Sequence, residues 1–94
     1  MEFTTTFRED FAIAERFGMS AVKDTFRRAF NEWKNDYKYL TDLVLVLNAK
    51  CWEWYERHNE SFCQLYADLY YEARDYALDN LKGEELNYYF DMTD

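Results

Sequence analysis

Ser20-Ala21-Val22-Lys23-Asp24-Thr25-Phe26-Arg27-Arg28-Ala29-Phe30-Asn31-Glu32-Trp33-Lys34-Asn35-Asp36-Tyr37 is the stretch that decides the fold class. Val22, Phe26, Ala29, Phe30, Trp33 and Tyr37 step by 4, 3, 1, 3 and 4. Those intervals put every apolar side chain on one stripe of a 3.6-residue period, with Lys23, Asp24, Arg27, Arg28 and Glu32 on the other side. A strand would alternate by two. The stretch reads as an amphipathic helix capped by Ser20 and weakened near its end by Asn35 and Asp36.

The same period extends in both directions. Thr6 followed by Glu9 has capping-box spacing. It predicts a first helix over residues 7–17 that buries Phe7, Phe11, Ala14 and Phe17, with Gly18 as its left-handed stop. Thr41 is the expected cap of a third helix reaching about residue 58. That helix carries Leu43, Val44, Leu47, Cys51, Trp54 and Tyr55 on one face and Leu45, Val46 and Trp52 on a second. A helix apolar around so much of its circumference belongs at the centre of a bundle. Asn59 or Ser61 opens a fourth helix to about residue 81, burying Phe62, Leu65, Leu69, Ala73, Tyr76 and Ala77. Gly83 ends it, and residues 84–90 read as a helical turn that tucks in Leu86 and Tyr89 or Phe90.

Composition agrees with that pattern. The chain has no proline and two glycines in 94 residues, so little punctuates long helices. Aromatic residues make up 21% of it, and each can bury about 150–250 Å², which strengthens a core of this size. The expected fold is all-α: a compact bundle of about four helices with a short C-terminal helical turn, residues 1–94 forming a single helical domain. Trp33, Trp52, Trp54, Tyr88 and Tyr89 exceed what such a core is expected to hide. Some should therefore reach the surface, where homodimerisation is one use for them.

Charge is the strongest functional signal. The net charge is −8, and the last 36 residues carry nine acids against Arg74 and Lys82, a net of −7. Within them Asp68, Glu72, Asp75 and Asp79 step by 4, 3 and 4, along one face of the fourth helix. Such spacing costs an isolated helix a few tenths of a kcal/mol per like-charged pair. Glu84 and Glu85 continue the acidic region past Gly83, and Tyr71 and Tyr88 lie beside it. Carboxylates at roughly 5–6 Å intervals can occupy a Lys/Arg groove built for a nucleic-acid backbone, and tyrosine faces can receive Arg. The expected partner-binding residues are Asp68, Glu72, Asp75, Asp79, Glu84, Glu85, Tyr71 and Tyr88. The expected partner is the basic surface of a nucleic-acid-binding protein, and direct nucleic-acid binding is not expected. The plainer reading is a solvated face that keeps an aromatic-rich chain in solution.

Other function classes find weaker patterns. Residues 13–19 and Lys23, Arg27 and Arg28 have the outline of a helix-turn-helix. However, Asp24 and Arg27 stand where that motif seats apolar residues. His58, the one histidine, falls at the expected end of the third helix, where a cation suits the helix dipole. A di-iron bundle needs two Glu-x-x-His pairs, and neither is present. There is no glycine-rich phosphate loop and no zinc spacing of cysteines. No catalytic, cofactor-binding or metal-binding residue is expected, and the protein reads as a non-enzyme. Cys51 and Cys63 read as reduced core thiols. No apolar run reaches the ~18–20 residues of a membrane span and no secretory signal is visible, so the expected location is the cytoplasm.

Segments 4–7, 12–18, 26–33, 39–41 and 79–88, the last reading Asp-Asn-Leu-Lys-Gly-Glu-Glu-Leu-Asn-Tyr, carry a resemblance over nearly the whole chain. It resembles small acidic proteins carried on conjugative and other mobile elements of Gram-positive gut bacteria. The resemblance implies a genomic setting in which inhibitors of host CRISPR and restriction nucleases are common. It supplies no catalytic residues. A regulatory or accessory role in transfer of the element is the other function it implies.

Overall fold

In the computed structural model, which describes residues 4–94, the chain forms α1 (Phe7–Glu15), α2 (Met19–Trp33), α3 (Tyr37–Glu56), α4 (Glu60–Asn80) and α5 (Glu84–Thr93). The described residues contain no strand. The all-α class is as expected. The last element is a ten-residue helix and not a short turn, so the described residues form five helices.

Local chemistry sets the helix ends, and in three places it differs from expectation. Thr6 does precede α1, but its hydroxyl donates to Asp10 at 3.0 Å and no side chain caps the first turn. The capping box with Glu9 does not form. At the other end α1 stops at Glu15, and Phe17 lies 79% exposed, outside the core assigned to it. The chain reverses at Gly18, whose φ of 107° only glycine adopts readily, and α2 begins at once with Met19. Gly18, not Ser20, is therefore the residue before that helix.

The third difference is the cap of α3. Asp36 takes that place, accepting from the backbone N–H groups of Lys38 at 3.1 Å and Tyr39 at 3.4 Å. Thr41 sits inside the helix, buried, and its hydroxyl donates back to the Tyr37 carbonyl at 2.7 Å. The Asn35–Asp36 weakness thus becomes a full break, and Tyr37 belongs to α3. Asn59 caps α4 by accepting from the Phe62 N–H at 3.0 Å. His58, in the turn before it, holds a left-handed φ of 59°.

α3 is central and touches all four other helices. Its antiparallel hairpin with α4 is set by the short turn 57–59 and by pairing of Trp54 with Phe62 and of Lys50 with Tyr66. One cluster of buried side chains draws on every helix: Phe7 and Phe11, Val22 and Phe26, Leu40, Leu43 and Leu47, Leu65 and Tyr66, and Tyr89. Most of the expected stripes are present. Tyr55 and Phe90, however, are exposed by 62% and 46%. Leu86 and Tyr89 anchor α5, and Tyr88 meets Tyr37 of α3 edge-on at 5.2 Å. No described helix is long and apolar enough to cross a membrane.

Candidate functional site

The acidic face is fixed by what lies behind it. Leu65, Tyr66, Leu69, Ala73 and Ala77 of α4 are buried, so the opposite side of the helix must face solvent. Asp68, Glu72, Asp75 and Asp79 are all exposed there, in a row roughly 16 Å long at 1.5 Å per residue. Gly83, with φ 62°, turns the chain so that Glu84 and Glu85 open α5. They are exposed in its first turn, where the helix dipole favours negative charge.

The carboxylates are not equivalent. Glu72 pairs with Arg27 of α2 through two bonds of 2.5 and 3.1 Å, and that hydrogen bonding raises the Arg27 pKa. Asp75 lies 3.5 Å from Arg74. Asp68 accepts from Gln64 at 2.8 Å, a neutral partner. Among the described residues no ion pair involves Asp68, Asp79, Glu84 or Glu85. Exposed pairs such as those of Glu72 and Asp75 are worth about 0–1 kcal/mol, so both carboxylates remain exchangeable.

Of the two tyrosines assigned to this face, Tyr71 is 55% exposed, with the Arg74 guanidinium 6.0 Å from its ring centre. Tyr88 is half-buried against Tyr37 and mainly anchors α5. The basic residues of the helix-turn-helix outline, Lys23, Arg27 and Arg28, are exposed on α2. Arg27 is engaged by Glu72, and Arg28 shares a groove between α1 and α2 with Asp24 and Glu32.

The expected surplus of surface aromatics is mostly absorbed. Trp33 stacks on Tyr39 at 3.9 Å, Trp54 on Phe62 at 4.7 Å, and Tyr89 is buried. Only Trp52 of the five expected residues is openly exposed, at 57%. Exposed apolar side chains gather instead at the α1–α2 corner, as Ile13, Phe17 and Met19.

Two constellations emerge that were not foreseen as sites. In the first, Glu15 Oε2 receives the Tyr66 hydroxyl at 2.6 Å, the Lys50 ammonium at 2.9 Å and the Trp54 indole N–H at 3.0 Å. Burial raises the Glu15 pKa, but these three donors outweigh it and leave the carboxyl below its ordinary value. Burial, with the Glu15 acceptor second, drives the Tyr66 pKa strongly upward. In the second, Cys51 of α3 and Cys63 of α4 bring their sulfurs to 3.7 Å. The described residues include no group of three or more His, Cys, Asp or Glu placed to hold a metal ion. Comparison with protein-family models, curated proteins and solved structures found no match to this chain.

Proposed function

We propose that the protein is a non-enzymatic binding protein whose acidic α4–α5 face occupies the basic surface of a nucleic-acid-handling host protein. The observation that carries this reading is the exposure of Asp68, Glu72, Asp75 and Asp79 in one row, continued by the exposed Glu84 and Glu85. Among the described residues, only Arg27 forms an ion pair with the row from another helix. A face that accumulates like charge costs folding stability and leaves a one-sided field, which attracts a cationic groove and repels nucleic acid. Tyr71 lies beside the row to receive an arginine of the partner.

Inhibition follows from competition. While this face holds the groove, DNA or RNA cannot enter it. The resemblance to mobile-element proteins makes a CRISPR or restriction nuclease the class of target that fits best. The test is capture on immobilised protein from a lysate of a bacterium that carries such elements, repeated at low and high salt and with excess duplex DNA. A nucleic-acid-binding partner released by both treatments is the expected result. Recovery of the bait alone, or a direct mobility shift of DNA by the protein itself, would overturn the reading.

A further inference from the structure

The α3–α4 turn brings together two thiols and an opening. Cys51 lies on the last turns of α3 and Cys63 on the first turn of α4, and their sulfurs are 3.7 Å apart. Neither is sealed in the core, since both side chains are half-buried. Cys63 lines a surface groove of about 460 Å³ together with Tyr55, His58, Asn59, Glu60 and Gln64. Cys51 does not line it; it packs against the core from behind. Cys63 is thus the thiol residue at the groove, and Cys51 is its neighbour on the core side.

We infer that Cys51 and Cys63 form a dithiol that exchanges with low-molecular-weight disulfides, Cys63 attacking first and Cys51 resolving the adduct. In the first step the Cys63 thiol gives up its proton to solvent and its sulfur attacks one sulfur of the small disulfide. A Cys63–S–S–R bond forms, the R–S–S–R bond breaks, and the thiolate released takes up a proton as R–SH. In the second step the Cys51 sulfur loses its proton and attacks Cys63 Sγ. The Cys63–SR bond breaks, a second R–SH leaves, and the Cys51–Cys63 disulfide remains. The protein loses two electrons and two protons, and the small disulfide gains both.

The division of labour follows first from access. The thiolate is the attacking form, and the first attack is bimolecular. Burial, reinforced by the adjacent Cys63 sulfur, pushes the Cys51 thiol up to about 11, which makes it a poor first attacker near neutral pH. In the second step the sulfur it must reach is already beside it, so proximity substitutes for a large thiolate population. Bond formation requires the sulfurs to close from 3.7 Å to about 2.05 Å. Cys51 lies six residues before the 57–59 turn and Cys63 four after it, on facing helices of one hairpin.

The experiment treats the folded protein with glutathione disulfide at pH 8 and follows it by non-reducing mass spectrometry. Wild-type protein is expected to pass through a transient glutathione adduct and finish as a monomer lighter by two hydrogens. Peptide mapping of the early adduct needs no variant and should place it on Cys63. Cys51→Ala should halt at a stable Cys63 adduct, and Cys63→Ala should react about tenfold more slowly, because the thiol that remains does not line the groove. A persistent wild-type adduct without the internal bond, an early adduct on Cys51, or a disulfide-linked dimer as end product would overturn the inference.

Discussion

The two faces of α4 handle charge in opposite ways. On its inward face, Tyr66 joins Lys50 and Trp54 around the single carboxylate of Glu15, which is only 12% exposed and takes three donors on Oε2. On its outward face, Asp68, Glu72, Asp75 and Asp79 meet water, and among the described residues just one of them is ion-paired with a residue from another helix. A carboxylate taken out of water must be surrounded by donors, because an unpaired buried charge costs several kcal/mol. A carboxylate left in water has no such requirement and stays available. The first arrangement locks α1, α3 and α4 together. The second contributes little to folding, and this makes it the better candidate for recognition.

The comparison breaks most visibly at Glu15. Glu15→Leu leaves the Lys50 ammonium, the Tyr66 hydroxyl and the Trp54 N–H without their shared acceptor. The expected loss is about 3 kcal/mol, or a fall in Tm of roughly 12 °C or more for a chain this size, read by thermal unfolding. An equal loss from Asp79→Leu would erase the distinction between the two faces.

Acid sharpens the same contrast. The folded-state pKa of Glu15 lies below its unfolded value, so its contribution is complete above about pH 4.3. It disappears as pH falls through the lower, folded value. Urea midpoints measured from pH 6 to pH 3 should therefore drop more steeply for wild type than for Glu15→Gln. Parallel curves would mean that the carboxylate is not the hub of the cluster.

The smallest effect is expected on the outer face. Arg27→Ala removes an exposed pair with Glu72 and should cost about 0–1 kcal/mol. By unmasking one carboxylate it should also tighten partner binding at low salt and steepen its salt dependence. Weaker binding would place Arg27 among the contacts instead of among the shields.

The helices were legible because their apolar spacing repeats without proline or excess glycine, and Val22, Phe26 and Phe30 lie buried where that period puts them. Cap choice was harder to read. Asp36 and Thr41 are both good caps by residue type, and the β-branched Thr41 was free to bond back to Tyr37 inside the helix. Phe17 was misplaced because the period alone cannot show that Gly18 turns the chain away before the next stripe position closes.

The acidic row was legible for the reason the core was, since exposed and buried residues share one period. The Glu15 cluster was not, because its members are separated by 39 and 51 positions along the chain. One signal was present. Glu15 follows Phe11 by four, and Lys50 follows Leu47 by three, so an acid and a base each continue an otherwise apolar stripe. Opposite charges at such positions point to a buried pair. The cysteine contact gave no comparable signal, since twelve residues of separation specify no distance until the hairpin register is known.

The central claim, recognition through the α4–α5 face, is tested most directly by Glu72→Lys/Asp75→Lys/Asp79→Lys in the capture assay beside wild type. Helicity by circular dichroism should be unchanged, because all three side chains are exposed. The account predicts that the triple variant retains none of the nucleic-acid-binding partner that wild type holds. Equal retention by both proteins would contradict it.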